Sequence, residues 1–249
     1  MTVYTYPRRR FLRAIMHQFS VWAFNLLVDL NIIGERNLPR KGPLLVVGNH
    51  FTFFDPVAFV RLSPWPLEFL GAAHPPFAPG WSKIITEMWG FYPLYRGTGS
   101  RGALRAAEEI LSQEGILGVF PEGGSWAQVL RLARPGTAYL ASRTGARLLP
   151  VGLFGFDDIF PLRFKRQAKA TINIGKPFGP FKVTGRGRAR RQQLDEISKV
   201  IMKQIADLLP DELRGPYSSD PAVRAAAKEV EKYPWADAVE GEVDASGEL

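Results

Sequence analysis

His50 is one of only three histidines in a chain of 249 residues. Asp55 follows it after four intervening residues, and the apolar run Leu44-Leu45-Val46-Val47 stands just before it. Such a run reads as a buried strand, so the pair falls at a strand end. A histidine oriented by a carboxylate is a ready general base: one ring nitrogen is fixed by the acid and the other is left to take a proton from a hydroxyl or a water. The competing reading makes Asp55 a helix N-cap with Pro56 in the first helical position. Two further stretches have chemical potential, Tyr95-Arg96-Gly97 and Phe120-Pro121-Glu122-Gly123-Gly124-Ser125-Trp126. Each follows a predicted strand, and ligand sites of open α/β sheets gather beyond the carboxyl ends of strands.

The elements that must position these residues alternate. Strands are predicted at Pro43–Gly48, Leu67–Ala72, Phe91–Tyr95, Ile116–Phe120, Leu148–Gly155 and Ala168–Ile174. Helices are predicted at Pro56–Leu62, Trp81–Trp89, Ser100–Gln113, Gly136–Thr144 and Arg188–Leu209. Strands separated by helices imply an α/β fold with a mixed, largely parallel sheet flanked by helices. The expected organisation is a helical N-terminal segment over 1–35, an α/β domain over 36–215, and an acidic tail over 216–249 whose last part, Ala236–Leu249, reads as disordered.

Composition narrows the chemistry. The chain has no cysteine, which removes thiol nucleophiles, thiolate metal ligands and disulfides together. No cofactor and no metal site is expected. Residues 211–249 carry ten acidic and four basic side chains, leaving residues 1–210 at net +14. A body so cationic suits a polyanionic partner such as an anionic lipid surface, a phosphorylated substrate or a nucleic acid.

Residues 11–30 are helical by period. Trp22, Ile15, Leu26, Phe19, Leu12, Leu30, Ala23, Met16 and Leu27 fall on one face, and Arg13, His17, Asn25, Gln18 and Asp29 on the other. Together with the cluster Arg8-Arg9-Arg10 this suits an amphipathic helix docked in a membrane interface rich in anionic lipid. It equally suits a helix packed on its own domain. No run of 18 uncharged apolar residues is present to cross a bilayer. The arginine cluster also looks like a twin-arginine export signal, but a polar segment follows and no small-residue cleavage site.

Taken in order, these blocks resemble the lysophosphatidic acid acyltransferases, the 1-acylglycerol-3-phosphate O-acyltransferase family. Its Asn-His-x4-Asp block is matched by Asn49, His50 and Asp55. Its arginine after a short strand is matched by Arg96, its Phe-Pro-Glu-Gly block by Phe120, Pro121, Glu122 and Gly123, and its apolar Val-Pro-Val block by Leu149-Pro150-Val151. The resemblance runs from Gly42 to Gly155. It implies that an acyl-CoA or acyl-carrier protein, as co-substrate, gives its fatty acyl group to the hydroxyl of a lysophospholipid in phospholipid synthesis. His50 would be the base and Asp55 its orienting acid, with no acyl-enzyme. Asn49, Thr52, Arg96, Gly97, Glu122, Gly123, Gly124 and Arg134 are the expected substrate-binding residues, with Arg96 on an acceptor phosphate. The implied location is peripheral, on the cytoplasmic face of the cell membrane. The family usually continues Thr-Arg-Ser after Phe-Pro-Glu-Gly. Here Gly124-Ser125-Trp126 stands instead, and Arg131 and Arg134 follow.

Two other patterns stay open. Gly97-Thr98-Gly99-Ser100-Arg101-Gly102 has the spacing of a dinucleotide-binding turn, with Glu122 twenty residues on. Residues 163–191 hold ten basic and no acidic residues, interleaved with Phe164, Phe178 and Phe181, a composition that nucleic acid or anionic lipid would meet. The apolar residues and arginines of the N-terminal helix favour lipid.

Overall fold

A computed structural model describes residues 4–72, 82–94, 101–159 and 167–232. Its elements in chain order are α1 (Arg10–Leu27), β1 (Val28–Ile33), β2 (Leu44–Gly48), α2 (Asp55–Leu62), β3 (Leu67–Ala72), α3 (Ser82–Trp89), β4 (Tyr92–Leu94), α4 (Arg101–Ser112), β5 (Ile116–Val119), α5 (Gly136–Thr144), β6 (Arg147–Phe154), β7 (Ala168–Ile174), α6 (Gly187–Ala206) and α7 (Pro221–Glu229). They build one seven-stranded sheet in the order β1-β7-β6-β2-β5-β3-β4. All neighbours run parallel except β6 and β7, so β1 and β7 oppose the other five.

The central strands are apolar on both faces because both faces are covered. Leu45, Val47, Leu117 and Leu148 pack with Ala106, Ala107 and Ile110 of α4, Ala138 and Ala141 of α5, and Ile197, Ile201 and Ile205 of α6. The alternate residues Leu44, Val46, Ile116, Leu149 and Val151 pack with Phe24 of α1, Ala58 and Phe59 of α2, and Trp89 of α3. This is the expected mixed, largely parallel sheet between two helical layers.

Two differences from the sequence reading concern the ends of the chain. The N-terminal helix stops at Leu27, and Val28–Ile33 is a strand in register with β7, Val28 facing Ala168 and Ile33 facing Asn173. The stretch 1–35 is therefore joined to the sheet rather than standing apart from it. Beyond Pro216, where little was expected, Asp220 caps α7 by accepting the Ala222 N–H at 2.8 Å. Residues 236–249, read as disordered, lie outside the described residues.

Helix α1 is apolar on two sides: Phe24, Met16 and Leu27 pack on the core, and a second apolar face is exposed. Its apolar side chains Phe11 (81% exposed), Ile15, Phe19, Trp22 and Leu26 face outward, while Arg13 is only 3% exposed. Arg13 gives Nη1 to Glu68 Oε1 at 2.5 Å and Nη2 to Oε2 at 2.8 Å. Arg8 adds Nε and Nη2 to the same Oε2 at 3.1 and 2.6 Å. Arg9 donates to the carbonyls of Glu87 and Met88 at the end of α3. Three of the four N-terminal arginines are thus spent on the protein itself. Beside α1, α3 turns Ile84, Ile85 and Met88 outward as well. Among the described residues no helix is long and apolar enough to cross a membrane.

Candidate active site

The turn between β2 and α2 is built around one carboxylate. Asp55 opens α2, but its side chain caps nothing in its own helix. It reaches back: Oδ2 accepts the backbone N–H of Phe51 and of Thr52, both at 2.7 Å, and lies 3.0 Å from His50 Nδ1. Oδ1 accepts Thr52 Oγ1 at 3.1 Å, and that hydroxyl in turn accepts the Phe54 N–H at 3.2 Å. The N-cap reading of Asp55 is therefore corrected; its partners lie in the turn. A carboxylate with two N–H donors on Oδ2 can only accept from the imidazole, so in the neutral ring the proton sits on Nδ1 and the lone pair on Nε2.

The imidazole is held on two more sides. Its ring stacks on Phe120, with centroids 4.3 Å apart, and Phe120 stacks on Phe59 at 4.8 Å. Its backbone N–H donates to Glu122 Oε1 at 2.8 Å. The segment after β5 thus supplies both a wall and a tether for the segment after β2. These strands are adjacent and parallel, which is why two blocks 70 residues apart meet at one edge.

Of the other expected substrate-binding residues, several face inward. Asn49 is 0% exposed. Its amide exchanges two 2.7 Å hydrogen bonds with the backbone of Leu153, so it stitches β2 to β6 behind the site. Glu122 is equally buried, and its Oε2 accepts the Arg131 N–H and Nε, each at 3.0 Å. It holds the site together rather than lining an open pocket. Burial pushes its carboxyl up from the ordinary range, and Arg131 and the His50 N–H oppose that shift. Thr52 serves Asp55. Gly123 turns the chain at φ +80°, where a side chain would meet Arg134 Cδ at 3.1 Å, so the exposed Arg134 lies directly over this turn. The Gly124 carbonyl accepts Arg131 Nη2. Arg96 and Gly97 lie outside the described residues, as does most of the Gly97–Gly102 pattern. Of the 163–191 stretch only part is described, and Arg186, Arg188, Arg190 and Arg191 are exposed around the start of α6.

Sequence reasoning missed Arg131 as a fixed part of the site. It is 2% exposed, and its guanidinium lies 3.6 Å over the Trp126 ring. The signal present was its position nine residues after Glu122, which no spacing rule ties to an ion pair.

The acyltransferase family model matches residues 29–153, half of the chain, running from β1 into β6. The chain belongs to the acyltransferase family. It is 25% identical over 145 residues to the 1-acyl-sn-glycerol-3-phosphate acyltransferase of Borreliella burgdorferi, a match spanning 57% of this chain and 57% of that relative. Among solved structures it resembles the crystal structure of the 1-acyl-sn-glycerophosphate (LPA) acyltransferase PlsC from Thermotoga maritima. The TM-score is 0.55 at 22% identity, over 78% of this chain and 79% of that one. This second likeness is one of fold. The His50–Asp55 turn and the Phe120–Gly123 segment both fall within the span that defines the acyltransferase. So does Gly97–Gly102, whose reading as a dinucleotide-binding turn the family assignment displaces.

Proposed function

We propose that this acyltransferase moves a fatty acyl group from acyl-CoA or acyl-carrier protein to the free hydroxyl of a lysophospholipid, 1-acylglycerol-3-phosphate foremost, in phospholipid synthesis. The observation that carries the reading is His50, at the carboxyl edge of the sheet, with Nδ1 fixed on Asp55 at 3.0 Å and Nε2 without a hydrogen bond among the described residues. In this mechanism Nε2 takes the proton of the acceptor hydroxyl as its oxygen attacks the thioester carbonyl carbon. The tetrahedral adduct collapses, the C–S bond breaks, and the leaving thiolate takes the proton back from the imidazolium. The products are an ester and a free thiol. Asp55 holds the ring and stabilises its charged form. A positioned base accounts for about 10²–10⁴ in rate, and juxtaposing hydroxyl and thioester for up to about 7–11 kcal/mol more. Arg134 beside Gly123, with Arg96, would bind the acceptor phosphate.

The acceptor is a lipid, and the outward apolar face of α1 and α3 supports docking of the protein on the cytoplasmic face of the cell membrane as a peripheral protein. With Arg8, Arg9 and Arg13 engaged internally, this docking would be driven more by apolar burial than by arginines.

The test is a thiol-release assay of wild type and His50→Ala with acyl-CoA and a panel of lyso-lipids, with and without phosphate. His50→Ala is expected to lose about 10²–10⁴-fold. Normal turnover in a folded His50→Ala protein would remove the general-base assignment, and equal rates on unphosphorylated acceptors would remove the phosphate contact.

A further inference from the structure

The segment after α6 lies beyond the residues that the family model matches, yet it is sewn to the loop after β5 at several points. Leu130 N–H donates to the Leu213 carbonyl at 2.9 Å. Gly215, at φ +52°, passes so close that an added Cβ would stand 2.0 Å from the Leu130 carbonyl oxygen. Trp126 Nε1 donates to the carbonyl of Val230, just past α7, at 2.9 Å. Tyr217 lies near enough to Glu122 to feel its charge, and burial with that charge raises its hydroxyl to about 12. A cavity of about 50 Å³ has Phe51, Thr52, Asp55 and Leu213 among its lining residues.

These contacts continue inward without a break. The Trp126 ring lies against the Arg131 guanidinium at 3.6 Å. Arg131 gives its N–H and Nε to Glu122 Oε2 and its Nη2 to the Gly124 carbonyl. Its Nη1 is buried with no hydrogen-bond partner, so Glu122 is its one acidic partner among the described residues. Glu122 Oε1 takes the backbone N–H of His50. Every link is either a hydrogen bond or a stacked ring, and the cation cannot shift without moving the carboxylate that holds the histidine.

We propose that the C-terminal segment positions His50 through the relay Val230 carbonyl, Trp126, Arg131, Glu122 and the His50 N–H. Trp126, Arg131 and Glu122 are positioning residues: none touches the reacting atoms in this scheme. The indole ties the loop after β5 to the carbonyl just past α7. Loosening the relay shifts the imidazole relative to both substrates, and a displacement of about 1 Å costs up to about 10²-fold in rate. Binding of donor and acceptor is left unchanged. The inference rests on the acyltransferase reading given above.

The experiment compares Trp126→Phe and Trp126→Ala with wild type and with Leu132→Ala, an exposed change in the same loop. Trp126→Phe removes the Val230 hydrogen bond and keeps a ring over Arg131; Trp126→Ala removes both. Two quantities are read: kcat and KM for both substrates by thiol release, and the NMR signals of the His50 backbone N–H and ring, which need no substrate. The expected result is a graded fall in kcat, about threefold to tenfold for Trp126→Phe and about 10–10²-fold for Trp126→Ala. Both KM values hold, the His50 signals move in the same order, and Leu132→Ala stays at wild type. Unmoved His50 signals in Trp126→Phe overturn the relay, whether or not Trp126→Ala folds. A rise in acceptor KM with kcat intact also overturns it, by making Trp126 a substrate contact. If wild type releases no thiol with any acceptor, the acyltransferase substrate reading fails, while the NMR arm still decides the relay.

Discussion

Glu68 and Glu122 are both fully buried carboxylates neutralised by arginine, one at the seam between the N-terminal segment and β3, the other at the edge that holds His50. They differ in what surrounds the charge. Glu68 takes five N–H donors, the Arg8 backbone N–H among them, from two arginines. Glu122 takes three, two from Arg131 and one from the backbone of the proposed base. Burial raises the Glu68 carboxyl, but its hydrogen bonds to Arg13 and Arg8 and their charges outweigh that, and it settles below the ordinary range. At Glu122 burial prevails over a single arginine, and the carboxyl rises. The first site is over-supplied with cations and acts as a clamp that fixes α1 against β3 and α3. The second has just enough charge to exist and spends one oxygen on holding a backbone N–H in place.

Removing each acid separates these roles most sharply. Glu68→Ala leaves Arg13 buried without an anion, and breaking a buried pair in this way costs about 3–5 kcal/mol. Chemical denaturation should register that loss, while kcat of the folded fraction on dispersed substrate stays near wild type. Glu122→Ala should destabilise comparably and lower kcat as well, because the His50 N–H loses its acceptor. Equal kcat losses in the two variants would erase the distinction.

A smaller effect tests what the clamp is for. If it presents the apolar face of α1 to a bilayer, binding to vesicles containing anionic lipid should respond in a fixed order. Phe19→Ser with Trp22→Ser removes two outward rings, each worth about 1.5–3 kcal/mol on full burial, and should weaken sedimentation with vesicles by at least about tenfold. Glu68→Gln should weaken it less, by misaligning the helix, and Glu122→Gln not at all. Vesicle binding unaffected by the double change would remove α1 as the docking face.

The same contrast marks how far the sequence could be read. His50 and Asp55 interact across five residues, so their pairing was visible in the chain itself. Their partner block at Phe120–Glu122 was visible because apolar runs announced β2 and β5. The buried pairs were not: Glu68 and Arg13 are 55 residues apart, and nothing in either neighbourhood distinguishes a clamp from a solvated charge. By helical period Arg13 belonged to a polar face pointing at water, and only packing on Trp89 and Glu68 turns it inward. Strand β1 was hidden for a similar reason. Val28-Asp29-Leu30 prolongs the helical pattern of α1, and its extended form is decided by β7, some 140 residues away. Asn49 and Glu122, expected as substrate-binding residues, are buried and bonded within the protein, because family position tells that a residue matters to the site but not which way its side chain points.

The least disruptive way to sharpen the comparison is acid titration of stability, because the two carboxyls are shifted in opposite senses. Glu68 has a folded value below its ordinary 4.5. Its stabilisation is therefore complete above 4.5 and is lost as pH falls through the lower folded value. Glu122 has a folded value above the ordinary 4.5. Between 4.5 and that value the folded state holds more protons than the unfolded, so this group's contribution grows more favourable as pH falls. Measured against wild type by denaturation from pH 7 downward, the stability advantage of wild type over Glu68→Gln should stay flat to about the ordinary carboxylate value and then shrink. Its advantage over Glu122→Gln should instead increase as pH falls toward 4.5. Parallel curves for the two variants would mean that the second arginine at Glu68 adds nothing to the clamp, and that the contrast between the two sites lies in their neighbours rather than in their charge balance.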